Sequence, residues 1–178
     1  MQTRTEKGGA NSDGSVGTGL VIERRFTAVG EDPFDQFEWI EMDVEIRNAD
    51  GSLAHRIDEV RLPSGYSGVP GKVLAQKYLR KAGVPAILRK VAEEGVPEWL
   101  QRSEPDHEKL QTLEPNQRYI GESHGRELFR RLAGTWTYWG WKHGYFEAEA
   151  DARAYFDEMC FLIASQRSAP NSPQWFNT

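Results

Sequence analysis

Apolar and polar residues alternate along the chain from residue 37, and this alternation predicts the first regular element. Its apolar positions are Ile40, Met42, Val44 and Ile46. Since a period of two residues is that of a β-strand, these side chains would share one buried face, with acidic side chains on the other. Residues 48–51 (Asn-Ala-Asp-Gly) supply turn chemistry. A second alternating run begins with Leu53, His55 and Ile57, so the pattern predicts a β-hairpin.

Spacings of three and four residues predict two long helices in the second half of the chain. The first would begin after Ser123, which is a suitable N-cap, and carry one apolar stripe. The stripe comprises Leu128, Phe129, Leu132, Ala133 and Trp136. The second would run from about Glu147 to Arg167, and Pro170 and Pro173 would then force extended geometry. The acidic residues expected on its solvent side are Asp151, Asp157 and Glu158.

Two shorter helices are predicted between the hairpin and the long helices. One covers residues 72–81 and the other residues 86–94, and each is closed by a glycine and a proline. Residues 106–109 are polar and are expected to form a surface connection. The predicted fold class is therefore α+β: a β-hairpin within residues 21–66, followed by a mainly α-helical lobe over residues 70–168.

Composition and charge exclude several classes of protein. Apolar residues make up 38% and charged residues 28% of the chain, which predicts a soluble protein with little core per residue. The net charge of −5 argues against a dedicated nucleic-acid binder, although small nucleotides remain possible ligands. No run approaches the roughly 18 apolar residues of a membrane span. Residues 1–20 are polar and glycine-rich, which predicts a disordered tail and not a signal peptide, so we expect a cytoplasmic location.

Neither the single cysteine nor the histidines form a recognisable chemical site. Cys160 lies on the apolar face of its predicted helix, where a thiol behaves as a small hydrophobic group, so we expect no reactive role. The histidines show neither of the short spacings typical of metal ligands, and we expect no metal site. They are His55, His107, His124 and His143.

Residues 135–146 concentrate aromatic side chains (Thr-Trp-Thr-Tyr-Trp-Gly-Trp-Lys-His-Gly-Tyr-Phe). One interpretation is that they pack between the two long helices and against a neighbouring domain, and we favour it because large aromatics dominate core and interface energetics. The alternative is a non-enzymatic binding or assembly module, in which exposed rings form a stacking platform for bases or sugars.

The last nine residues, 170–178 (Pro-Asn-Ser-Pro-Gln-Trp-Phe-Asn-Thr), follow neither a helical nor a strand pattern. Their prolines, asparagines and serine among bulky aromatics are typical of a segment shaped for a site. A hydroxyl and backbone amides could face a small anion there.

These nine residues resemble the signature that begins the catalytic barrel in class II ribonucleotide reductases. The signature reads Pro-Asn-Ser-Pro, two variable residues, Phe-Asn, a small residue and Gly, and the chain stops one residue before the Gly. Other blocks are similar to the N-terminal region of the large, B12-dependent bacterial members of this family. The blocks are residues 22–26, where we place the start of the hairpin, 73–78, 80–85, 132–142 and 144–146.

The resemblance implies a chemistry that lies mostly outside this chain. It implies reduction of the ribose 2′-hydroxyl of ribonucleotides, by radicals formed when the cobalt–carbon bond of adenosylcobalamin breaks. A cysteine thiyl radical would abstract the 3′-hydrogen, and a cysteine pair renewed by a thioredoxin-like donor would supply electrons. In the family pattern those cysteines, and the ten-stranded α/β barrel that bears them, follow Thr178, and Cys160 matches none of them.

The resemblance assigns one candidate substrate element to this chain. Ser172, with Asn171 and Pro173, would lie beside the ribonucleotide, while no catalytic residue and no cofactor ligand falls within the sequence. We expect the segment alone to be inactive and to expose apolar surface meant for the remainder of the barrel. Truncation, a frameshift or an intein are open explanations of its end, and a stand-alone regulatory or assembly subunit is a third possibility. A diphosphate or a triphosphate substrate is equally compatible with the sequence.

Overall fold

A computed structural model describes residues 19–178 and shows an α+β fold, as predicted. The predicted tail, residues 1–20, lies outside the described residues except for its last two. The strands are β1 (Trp39–Arg47), β2 (Leu53–Pro63), β3 (Val84–Pro85), β4 (Leu88–Lys90), β5 (Ser103–Pro105) and β6 (Tyr119–Ile120). The helices are α1 (Val69–Lys77), α2 (His107–Leu110), α3 (Gly125–Lys142), α4 (Glu149–Ala164) and α5 (Ser172–Asn177). Short 3-10 helices occupy Pro33–Gln36, Ser64–Tyr66, Glu98–Leu100 and Pro115–Gln117.

The predicted hairpin is confirmed as the antiparallel pair β1 and β2. Its turn closes with a hydrogen bond from the Gly51 amide to the Asn48 carbonyl, and Gly51 takes a positive φ of 83°. A β-bulge interrupts the pairing where Glu59 also has a positive φ, 54°. Because a bulge inserts a residue and re-phases the alternation, Val60 faces inward although the earlier pattern would have turned it outward. Residues 22–26, where the hairpin was predicted to begin, form no strand.

The two long helices are confirmed, and α3 packs against α4 to form the centre of the core. The N-cap of α3 is His124 and not Ser123, because the His124 side chain accepts a hydrogen bond from the Arg126 amide. The Ser123 carbonyl instead accepts a hydrogen bond from the Arg61 amide of β2. The buried core residues come from all parts of the fold: Phe34, Val44, Val60, Leu62, Tyr66, Leu74, Ala75, Leu79, Leu128, Phe129, Leu132, Ala133, Cys160, Ile163, Ala164 and Trp175.

The two shorter helices are confirmed only in part. Helix α1 lies at residues 69–77, which overlaps the predicted range, and it buries Leu74 while Val73 is exposed. The predicted helix over residues 86–94 is wrong, because β4 lies there and pairs with β5. The backbone amides and carbonyls of β4 form hydrogen bonds with β5, which begins only at Ser103. The local sequence pattern used for the prediction carries no information about such a partner.

An N-terminal strap, defined as residues 19–27, runs along α4 and overturns the predicted exposure of two acidic residues. Asp157 and Glu158 were expected to face solvent, yet they are 1% and 8% exposed. Asp157 binds the Arg24 guanidinium at 2.8 Å, and Glu158 accepts hydrogen bonds from the backbone of the strap. Burying a carboxylate requires such partners, and these come from more than 130 residues earlier in the chain.

The C-terminal segment also differs from its prediction, because residues 172–177 form the helix α5 and not an extended chain. Pro173 lies in the first turn, where the missing amide hydrogen removes no helical bond. Trp175 supplies the buried contact that holds α5 on the core: it is 6% exposed, and its indole Nε1 donates to the Pro170 carbonyl at 2.9 Å.

Candidate functional site

The predicted site residues Asn171, Ser172 and Pro173 lie together on the surface at the start of α5, and all three are exposed. The Ser172 hydroxyl lies 3.2 Å from the Tyr78 hydroxyl, and these two oxygens form a hydrogen bond. Two neighbouring hydroxyls can each donate to or accept from a polar ligand. The structure thus brings a second hydroxyl to the serine that the sequence singled out.

Aromatic stacking fixes the position of Tyr78. Its ring stacks on Trp175 with centroids 5.0 Å apart and meets Phe176 at 5.2 Å. Trp175 is buried whereas Phe176 is 58% exposed, so the cluster reaches from the core to the surface beside Ser172. Offset aromatic pairs of this kind contribute about 0.5–1.5 kcal/mol beyond their area burial.

A buried ion pair holds the end of α5. The Arg131 guanidinium, on α3, donates to both carboxylate oxygens of Glu122 at 3.1 and 3.0 Å. The same guanidinium donates to the carbonyls of Thr178 at 2.7 Å, Tyr78 at 3.3 Å and Trp175 at 3.4 Å. The two side chains are only 12% and 4% exposed, so the pair lies in a low-dielectric environment. Arg131 therefore connects the core helix to the segment that carries Ser172.

Sequence reasoning missed Arg131 and Glu122. Arg131 follows Leu128 by three residues, so it borders the apolar stripe of α3, and this spacing is the one signal that the sequence offered. Glu122 precedes the helix in a connecting segment, and its other oxygen contact, with the Arg80 amide at 2.9 Å, joins positions 42 residues apart. No local pattern indicates such a partner.

The aromatic cluster of residues 135–146 is divided between packing and exposure. Trp136 packs against the core as the favoured interpretation requires, but Trp139 is 50% and Tyr145 59% exposed. These rings border a cavity of about 550 Å³, which is also lined by Phe146 and Tyr155. The cluster thus contributes to the core and presents an open aromatic groove at the same time.

The thiol of Cys160 is enclosed in the core. Cys160 is fully buried, and burial raises the pKa of its thiol well above the usual range, which keeps it protonated. Within residues 19–178, no three His, Cys, Asp or Glu side chains are grouped so that they could hold a metal ion. None of the helices in that range is long and apolar enough to cross a membrane.

Comparison with known proteins shows which family this chain is similar to. The family model described as "Class II vitamin B12-dependent ribonucleotide reductase" matches residues 41–166, from β1 to the end of α4. The chain belongs to this family. A vitamin B12-dependent ribonucleotide reductase of Bradyrhizobium diazoefficiens is 52% identical over 159 residues, and one of Agrobacterium fabrum is 50% identical over the same length. One of Streptomyces avermitilis is 28% identical over 171 residues.

This reductase segment is short relative to its relatives. The aligned residues cover 89% of this chain but only 13% of the Bradyrhizobium protein and 12% of the Agrobacterium protein. For the Streptomyces avermitilis protein the shares are 95% and 14%. The family match includes Tyr78, Glu122 and Arg131 and ends before Ser172, so the residues that hold α5 lie within the region typical of class II reductases.

Proposed function

We propose that this chain is the N-terminal part of a vitamin B12-dependent ribonucleotide reductase that makes deoxyribonucleotides for DNA synthesis in the cytoplasm. The observation that carries the proposal is the match of residues 41–166 to the class II family, together with relatives named for that activity. The substrate would be a ribonucleoside diphosphate or triphosphate, and a thioredoxin-like protein would renew the reductant. The remainder of the catalytic barrel would be the structural partner of this segment.

Adenosylcobalamin would supply the radical that starts the reduction. The role that we propose for this chain is positional. It would hold the segment of residues 170–178 at the start of the barrel, with Asn171, Ser172 and Pro173 on the substrate side.

Three contacts support Ser172 as a substrate-positioning residue. Its hydroxyl is exposed and is oriented by the Tyr78 hydroxyl, while Tyr78 is fixed by stacking on buried Trp175. The helix that begins at Ser172 is tied to Arg131 at its other end. A positioned hydroxyl would lose little freedom when it binds a polar group of the nucleotide, which is the advantage of a preorganised site.

Substitution of Ser172 tests the proposal in the complete polypeptide that carries this segment. Deoxyribonucleotide formation is measured with adenosylcobalamin and a dithiol, and we expect Ser172→Ala to lower kcat/KM roughly tenfold, equivalent to about 1.4 kcal/mol for one lost hydrogen bond. Ser67→Ala is the matched control, because Ser67 is exposed and remote in sequence from this segment. An inactive parent protein would refute the reductase assignment, and equal kcat/KM values for the parent and Ser172→Ala would refute the role of Ser172.

A second candidate function is that of a non-enzymatic binding module, in which the aromatic rings of residues 135–146 stack on bases or sugars. The exposure of Trp139 favours this function over a fully packed cluster. We expect acrylamide to quench the fluorescence of the chain strongly, and Trp139→Phe to lower the quenching slope more than Trp136→Phe does, because Trp139 is the more exposed ring. Adenosine serves as the planar probe of the groove. If adenosine leaves the fluorescence of the parent unchanged, the platform is rejected and the groove is only exposed packing surface.

A further inference from the structure

A second concave surface, distinct from the predicted site, is lined by an excess of basic side chains. This basic pocket, with a volume of about 510 Å³, lies between α3 and the β4–β5 hairpin. Its cations are Arg80, Lys90, Arg102, Arg130 and Arg131, and its lining contains no aspartate or glutamate. The chain as a whole carries a net charge of −5, so the concentration of cations is local and is not a general property of the surface.

Two of the five cations already have a carboxylate partner: Arg131 pairs with Glu122, and Arg130 pairs with Asp32. The charges of these two side chains are therefore largely compensated. Arg80 donates to the Thr178 carbonyl at 3.2 Å, and an uncharged carbonyl leaves its positive charge uncompensated.

Lys90 and Arg102 are the remaining two cations of the basic pocket. In the part of the chain that the structure describes, neither forms a salt bridge with a carboxylate. The Lys90 ammonium is turned toward the backbone, where it donates to the Trp99 carbonyl at 3.2 Å and the Gln101 carbonyl at 2.7 Å. These two bonds leave one of its three N–H groups for a ligand. Partial desolvation lowers the pKa of Lys90, which indicates a cation that an anion would stabilise.

Apolar side chains also line the basic pocket. Trp99, Tyr138 and Phe156 contribute rings, and Leu88 and Leu100 contribute aliphatic surface. The Arg153 guanidinium lies 4.9 Å from the Trp99 ring and holds it in place from outside the lining. A pocket lined by both cations and aromatic rings suits a ligand with a phosphate group and an apolar or aromatic body.

We propose that the basic pocket binds a small organic phosphate, with the phosphate on Lys90 and Arg102 and the organic body against Trp99 and Tyr138. Asn171, Ser172 and Pro173 are not part of the lining, which includes Thr178 at the other end of the same segment. The volume of the pocket lies within the range of small-molecule sites.

Calorimetric titration of residues 1–178 tests the proposal, with ADP as the probe that has an aromatic body and pyrophosphate as the probe that lacks one. We expect ADP to bind, and the double substitution Lys90→Gln, Arg102→Gln to weaken binding at least tenfold, because two charge-assisted contacts are lost. The double substitution Lys72→Gln, Lys77→Gln is the charge-matched control, since both lysines are exposed on α1 and lie outside the pocket. Lys90→Arg should retain binding.

If Trp99 and Tyr138 contact the organic body of the ligand, ADP should bind more tightly than pyrophosphate. Trp99→Leu should reduce that difference in affinity. Equal affinity for the two probes, no binding of ADP, or the same weakening in the Lys72, Lys77 control would overturn the proposal. An inactive reductase with normal ADP binding would thus refute only the proposed function, and an active enzyme without ADP binding only the basic pocket.

Discussion

Glu158→Ala is expected to lower the free energy of unfolding by about 3 kcal/mol, because a single carboxylate oxygen of Glu158 accepts four hydrogen bonds from the N-terminal strap. Glu158 Oε1 accepts hydrogen bonds from the amides of Arg25, Phe26 and Thr27 at 3.1, 3.0 and 2.9 Å. It also accepts one from the Thr27 hydroxyl at 2.7 Å. Alanine would leave all four donors without this acceptor. The cost is less than the sum of four bonds, since the strap can detach and be hydrated. Urea denaturation followed by circular dichroism measures the change.

A second variant of Glu158 distinguishes the effect of its negative charge from the effect of losing the whole side chain, and a control variant accompanies it. Glu158→Gln keeps a carbonyl acceptor, so we expect a loss of about 1–2 kcal/mol, smaller than for alanine. Glu94→Ala is the control, because Glu94 is an exposed glutamate, and it should change the free energy of unfolding by less than about 0.5 kcal/mol. Equal stabilities of the parent and Glu158→Ala would contradict the inference that the hydrogen bonds between Glu158 and the strap stabilise the fold.

The same carboxylate predicts a pH dependence with a definite sign. Burial acts to raise the pKa of Glu158, but hydrogen bonds from Thr27 and from the backbone of residues 25–27 outweigh it and lower the pKa. A lowered folded-state pKa contributes stability above the unfolded pKa, about 4.3, and that stability is lost as the pH falls through the folded value. The stability difference between the parent and Glu158→Gln should therefore be constant near neutrality and shrink below about pH 4.

Local pattern sufficed to predict the elements whose stability comes from their own apolar face. The alternation around Val44 predicted β1, and the stripe through Leu128 and Leu132 predicted α3. The strand β4 was missed, because its stability comes from pairing with β5 and not from a pattern of its own. The bulge at Glu59 was also missed. Glu59 takes a positive φ without being a glycine, so no residue type signals that the alternation of inward and outward side chains shifts there.

Long-range electrostatics explains what the sequence could not predict about α4 and the candidate site. Glu158 looked like a solvated helix residue because its partners lie in a strap at the other end of the chain. Ser172 could be proposed from a motif, yet its surroundings could not: the Tyr78 hydroxyl is 94 residues away and Arg131 is part of another helix. A sequence motif shows which residues are neighbours along the chain. The buried ion pair that positions those residues is formed by tertiary contacts, which a local motif does not contain.

Arg131→Met is expected to destabilise the chain by about 3–5 kcal/mol, the range typical of removing one partner of a buried ion pair. Methionine fills much of the volume but leaves the Glu122 carboxylate with the Arg80 amide as its remaining described hydrogen-bond donor. The Tyr78 carbonyl loses this donor as well, and the Thr178 carbonyl keeps only the bond from Arg80. The loss should thus include the docking of α5, and not only the stability of α3.

Denaturation and hydrogen exchange together distinguish these effects. Exchange of the backbone amides in residues 174–178 should accelerate in Arg131→Met more than in the core of α3, because the C-terminal segment loses its anchor first. Arg61→Met is the matched control: Arg61 pairs with Glu41 on the hairpin surface, where the side chains are 57% and 48% exposed, so its loss should cost less than about 1 kcal/mol. In a double-mutant cycle, Glu122→Gln should lose much of its effect once Arg131 is replaced. Additive effects in that cycle would contradict the inference that this pair positions the segment carrying Ser172.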